Sequence, residues 1–126
     1  MRQFLLAAVL MVPVSVASAD ALYDKCMNAA DGTNPAFAKC GGDWVTRADT
    51  KLNEVWKQLY SDREEQTKKD LLAEQRLWNA YKEESCKFLS NGDFGREGQV
   101  VHFPACRAEV IEARIKQLEH YMSPEE

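Results

Sequence analysis

Apolar residues recur through the middle of the chain with the period of an α-helix. Val45, Ala48, Leu52, Val55 and Leu59 are spaced three and four apart and so share one helix face. A second stripe takes in Leu71, Gln75, Trp78, Tyr81, Ser85 and Leu89 and predicts a helix from about Asp62 to Leu89. A third, through Val110, Ile111, Arg114, Ile115, Leu118 and Tyr121, predicts a last helix. Pro104 is expected to open it, because a first turn asks nothing of the amide that proline lacks. Ahead of these, Ala21 to Ala30 has room for a short helix carrying Leu22, Cys26 and Met27.

The polar positions supply punctuation. "DGTN" turns the chain, Pro35 opens a single turn in "PAFAKC", and Gly41-Gly42 is expected to stop it, since glycine takes the left-handed conformation cheaply. Asp43 then suits the N-cap of the next helix. Ser61 and Glu64 of "SDRE" match a capping box, in which each satisfies an orphan amide of the other. Glu64–Lys68, Glu65–Lys69 and Glu83–Lys87 stand four apart with the acid first, the favourable order. The one strand-like stretch is the ambiguous "QVVHF". These elements predict an all-α fold: a small antiparallel helical bundle of three main helices plus a short N-terminal helix.

The first nineteen residues follow a different pattern. "MRQFLLAAVLMVPVSVASA" has Arg2, an apolar run from Phe4 to Val12, and Ala17-Ser18-Ala19. These are the parts of a secretory signal peptide cleaved after Ala19, leaving residues 20–126 as a single domain. Pro13 and Ser15 interrupt a run already too short to span a bilayer. "LYDK" before Cys26 lacks the small apolar residues a lipid anchor needs, so no membrane anchor is expected. The chain has 16 Lys and Arg against 20 Asp and Glu, a net charge of −4. Loss of Arg2 with the leader makes the exported form more acidic still, which argues against nucleic acid and suits a cationic partner.

An exported chain with four cysteines changes the picture further. Cys26, Cys40, Cys86 and Cys106 are even in number, which implies two disulfides. There is no CxxC, and His102 and His120 are the only histidines, so no metal site is expected. Antiparallel helices bring Cys40, Cys86 and Cys106 to one end of the bundle, with Cys26 close by in sequence. That geometry leaves all three pairings open; sequential neighbours, Cys26–Cys40 and Cys86–Cys106, are favoured. Loops of that size would each stabilise the fold by about 3 kcal/mol.

The four-cysteine spacing, "RADTKLNEVWKQLY", "LLAEQRLWNAYKEESC" and "DFGREGQVVHFPACRAEVIEARIKQL" together resemble the LprI-like lysozyme inhibitor family. The resemblance runs from about Cys26 to Leu118, and its specificity lies in the combination. Leucine-asparagine in the second helix, glutamine-x-x-tryptophan before the third cysteine and cysteine-arginine opening the last helix recur together. The resemblance implies a periplasmic or secreted helical domain that binds and inhibits lysozyme. It brings no catalytic residues and no cofactor.

Several polar residues read as architecture. A buried Arg114 must be paired, and Asp49, Asn53 and Gln75 are candidate acceptors. Trp44, Trp56 and Trp78 are expected in the core. The stretch between Ser90 and Phe103 differs, with Gly92, Gly95 and Gly98 and no regular period. A long irregular loop with a disulfide across its base reads as a pre-organised projection for binding a protein. Ser90, Asp93, Arg96, Glu97 and His102 are its candidate contact residues. The competing expectation is a structural loop whose Phe94, Val100 and Phe103 pack back on the bundle.

Enzyme chemistry finds no purchase. "SNGDFGREG" lacks the alternating oxygen ligands of a calcium loop, and no Gly-Lys-Ser/Thr follows the glycines to cradle phosphate. Nucleophilic catalysis needs a free thiol or a serine beside a base. With the resemblance, this implies a non-catalytic protein that blocks a lysozyme-type hydrolase. The alternative is an envelope interaction module with a different protein partner, such as another cell-wall hydrolase or an imported effector.

Overall fold

The structure, a computed structural model, describes residues 20–124. The expected leader, residues 1–19, lies outside the described residues. Four helices carry the fold: α1 (Ala21–Ala29), α2 (Asn34–Ser61), α3 (Glu65–Glu84) and α4 (Phe103–Met122). No strand occurs among the described residues.

Helix α1 begins where Asp20 accepts from the Tyr23 amide at 2.8 Å, and the same carboxylate oxygen accepts from Arg47 of α2 at 2.8 Å. The helix runs antiparallel to the start of α2. Tyr23 meets Trp44 with ring centroids 4.6 Å apart, and Cys26 is bonded to Cys40.

Helix α2 departs from expectation at both ends. Thr33 caps it, accepting from the Ala36 amide at 3.3 Å, and the helix passes straight through Gly41 and Gly42. Asp43 is therefore not an N-cap; it lies within the helix and accepts from Lys39 at 2.5 Å. The reason is tertiary. A Cβ on Gly41 would stand 2.8 Å from the Cβ and Cγ of Pro104, so the missing side chain lets the start of α4 approach. At the other end Ser61 is still helical, so the capping box does not form. Arg63 closes the turn instead, its Nε donating to the Leu59 carbonyl at 3.0 Å.

The core is zipped between α2 and α4. Ala48, Leu52, Val55 and Leu59 of α2 are buried against Ile111, Ile115 and Leu118 of α4. The two helices run parallel: Gly41 lies by Pro104, and further along Trp44 Nε1 donates to Glu112 at 2.8 Å. Trp44 is buried, whereas Trp56 and Trp78 only pack against the core's edge.

Helix α3 runs antiparallel to α4 and buries no side chain fully. Leu71 and Trp78 lean on the core, but Tyr81, expected on the same face, is 61% exposed. The helix ends at Glu84 rather than near Leu89, because Ser85 is extended and Cys86 takes a left-handed φ of 68°. Lys87 consequently pairs with Glu84 at 2.9 Å and not with Glu83. Lys68 lies over the Tyr60 ring rather than taking part in a ladder with Glu64.

Pro104 stands in the first turn of α4, as expected, but the chain is already helical before it. One α-turn (Gly95–Glu97) and a π-turn (Gly98–His102) lead directly into it, so "QVVHF" is helical. The Phe103 amide reaches back five residues to the Gly98 carbonyl. Pro104 follows in the first turn of α4, where its missing N–H leaves no bond unmade. The fold is a small all-α bundle held by two disulfides, with the pairing Cys26–Cys40 and Cys86–Cys106.

Candidate partner-binding surface

The segment between α3 and α4 is a packed cap rather than an irregular projection. Two 3₁₀ turns, Lys87–Ser90 and Gly92–Phe94, precede the α- and π-turns. The Cys86–Cys106 bond closes its base. Arg107 reinforces the junction, donating to the carbonyls of Glu83 at 3.1 Å and Ser85 at 3.4 Å where α3 leaves them unpaired. Glycine is required at two points. Gly95 has a φ of 63°, and a Cβ on the buried Gly98 would collide with the Leu89 carbonyl oxygen and the Phe94 Cβ.

The five candidate residues share this cap. Ser90 Oγ donates to the Lys87 carbonyl at 2.7 Å, and its own carbonyl accepts from Gln99 at 3.3 Å. Gln99 in turn accepts from Arg96 at 3.0 Å, so Arg96, Gln99 and Ser90 form one chain of contacts. Glu97 and His102 approach to 3.5 Å, an ion pair when the imidazole is protonated. Asp93 sits on the Asn91 turn, its amide held by the Asn91 side chain at 2.9 Å. Asp93, Arg96, Glu97 and His102 face solvent, while Ser90 is half-buried.

Of the residues expected to pack inward, Val100 is buried and Phe103 half-buried, but Phe94 is 45% exposed. It stands edge to face with Phe88, which is 59% exposed, at 5.6 Å between centroids. Sequence reasoning missed this pair. The available signal was two phenylalanines flanking an Asn-Gly turn, which brings their backbones together.

Arg114 is the buried cation of the bundle, 3% exposed. Its Nε and Nη2 donate to Gln75 at 3.0 and 2.8 Å, and its Nη1 to Glu74 at 2.6 Å and to Gln117. Gln75 is thus a partner as expected, but Asp49 and Asn53 are replaced by Glu74 and Gln117. They line the open cleft between α2 and α3 instead. Tyr121 also donates to Glu74, at 2.9 Å. Burial acts to raise the Glu74 pKa, but the hydrogen bonds from Arg114 and Tyr121 and the arginine's charge outweigh it and lower it.

All four cysteines are in disulfides. Among the described residues no group of three or more His, Cys, Asp or Glu side chains is placed to hold a metal ion. No helix of the described residues is long and apolar enough to cross a membrane. No curated protein and no solved structure matches the chain. A family does: the one described as lysozyme inhibitor LprI matches residues 26–118, from the first cysteine to the last buried leucine of α4, and the chain belongs to it.

Proposed function

We propose that this chain is exported by its first nineteen residues, binds a lysozyme-type peptidoglycan hydrolase and inhibits it by steric blockage. The observation that carries the proposal is family membership across nearly the whole described domain. Two disulfides fit an oxidising periplasmic or extracellular setting. The partner is a protein, and blockage needs no catalytic group on the inhibitor.

The cap is the surface proposed to meet the enzyme. Lysozyme works with two carboxylates in a cleft, one protonated and one ionised. Arg96, His102 or the Ser90 hydroxyl would meet those carboxylates, and Asp93 and Glu97 would pair with cationic groups on the cleft's rim. A cap tied at its base by a disulfide has little freedom left to lose on binding, which favours affinity.

The test is cell-wall clearance by c-type, g-type and i-type lysozymes with and without the purified protein. Inhibition of at least one enzyme is expected. Undiminished clearance by all three at micromolar excess refutes the proposal. Replacing Arg96, Glu97 and His102 with alanine is expected to weaken inhibition; unchanged inhibition by a folded variant removes those side chains from the contact.

A further inference from the structure

The two disulfides join different kinds of backbone. Cys26 lies in α1 and Cys40 in α2, both within regular helix. Cys86 instead holds a φ of 68°, the one left-handed residue other than glycine among the described residues. That conformation disfavours a side chain, so opening the bond to Cys106 lets the backbone relax, and a bond that holds such strain is easier to reduce. Each bond has one buried and one half-buried cysteine, so burial alone does not separate them.

Their surroundings do. Cys106, half-buried, lines an open cleft between α3 and α4 with Trp78, Tyr81, Glu109, Val110 and Ala113, which gives an external thiol a way in. Arg107 follows it and donates to the carbonyl of Ser85, the residue before Cys86, at 3.4 Å. Its side chain is 15% exposed, its Nε is buried without a hydrogen-bond partner, and the Glu83 carboxylate comes only to 3.9 Å. A cation held there favours a thiolate leaving from Cys86. Lys25 and Lys39, the cations beside the other pair, stand in solvent, and Lys39 is taken by Asp43.

We infer that Cys86–Cys106 is a redox switch on the cap: a dithiol opens it and releases residues 87–103, while Cys26–Cys40 stays closed as a structural tie. Its consequence for inhibition rests on the reading that the cap meets the hydrolase. The dithiol's thiolate attacks Cys106 Sγ, forming a mixed disulfide; the Cys86–Cys106 bond breaks, and its electron pair leaves on Cys86 Sγ, which takes a proton from water. The dithiol's second thiol, deprotonated, attacks its own sulfur in the mixed disulfide and releases Cys106 as a thiolate, which is then protonated. The protein gains two electrons and two protons, and the dithiol ends as a disulfide.

The test equilibrates the folded exported protein with mixtures of reduced and oxidised dithiothreitol, traps free thiols with iodoacetamide and maps them by mass spectrometry. Cys86 and Cys106 should be half reduced at a ratio of reduced to oxidised reagent about tenfold lower than Cys26 and Cys40, the factor set by the left-handed cost at Cys86. Opening of Cys26–Cys40 first, or of both bonds together, overturns the inference. A thioredoxin-type CxxC protein whose second cysteine is replaced by serine should be trapped on Cys106, and trapping on Cys86 contradicts the proposed path.

Hydrogen exchange in residues 87–103 should quicken on reduction and slow again on reoxidation, with α2 unchanged; exchange that ignores the redox state overturns the switch. Cys26→Ser with Cys40→Ser should keep the response and Cys86→Ser with Cys106→Ser should abolish it, and should a variant fail to fold, the trapping on the parent decides. Inhibition of lysozyme should fall on reduction and recover on reoxidation. Equal inhibition in both states overturns the switch and leaves the lysozyme reading standing. If neither state inhibits, that reading fails, and trapping and exchange alone judge the bond.

Discussion

A Cβ at Gly41 meets Pro104 at 2.8 Å, whereas one at Gly42 meets nothing within 4 Å. Both glycines lie inside α2, so the same substitution made at each separates packing from backbone entropy. Gly41→Ala should lower stability by about 1–3 kcal/mol through overpacking against a rigid ring. Gly42→Ala should raise it by about 0.5–1 kcal/mol, the ordinary gain of alanine over glycine in a helix. Denaturant unfolding of the two variants checks this; equal effects would mean that the helix crossing does not depend on Gly41. Locally the pair looks like a helix stop, and only the distant proline explains it. The same holds for Arg114. Its burial was legible from its place in an apolar stripe, but its acceptors depended on which residues of α3 lie opposite. Glu74 gives that cluster a pH signature. Its pKa is lower folded than unfolded, so its contribution is full above the unfolded value and drains as pH falls through the folded one. Glu74→Gln should therefore flatten stability in the acid limb below the ordinary carboxylate range. An unchanged acid limb in urea titrations at several pH values would contradict the assignment.

At the scale of elements, α2 and α4 form the core while α3 is an outer member with no fully buried side chain. Hydrogen exchange should reach the global limit in α2 and α4, with α3 opening at lower free energy; equal protection in all three would contradict it. The buried stripes of α2 and α4 were readable because a helix packed on one face repeats its apolar residues every three to four positions. Helix α3 carries a similar stripe, yet pattern alone does not distinguish a central helix from an edge one. The cap was least legible, since its glycines suggest an irregular loop. In fact Gly98 permits close packing under Leu89, and a π-turn leads into the first turn of α4, where Pro104 sits. Cys86 holds a left-handed φ that costs a residue other than glycine about 1–2 kcal/mol, and the bond to Cys106 helps to hold it there. Replacing both cysteines with serine should lower stability by about 3 kcal/mol and loosen residues 87–103 first. Loss of protection in α1 before the cap would show that the bond does not govern this segment.

For the whole molecule, family membership, two disulfides and an exposed cap converge on a protein-binding role in the LprI family. The all-α class was within reach of the sequence, and the cysteine pairing is the favoured one of three that the sequence left open. The surface that would meet a partner was not, because exposure of Phe88 and Phe94 depends on how the cap folds back. The most direct measurement is hydrogen exchange of the protein alone and with an inhibited lysozyme. The account predicts added protection concentrated in residues 87–103, with α1 unchanged. Protection confined to α1 or to the outer face of α2, with the cap exchanging as in the free protein, would contradict it.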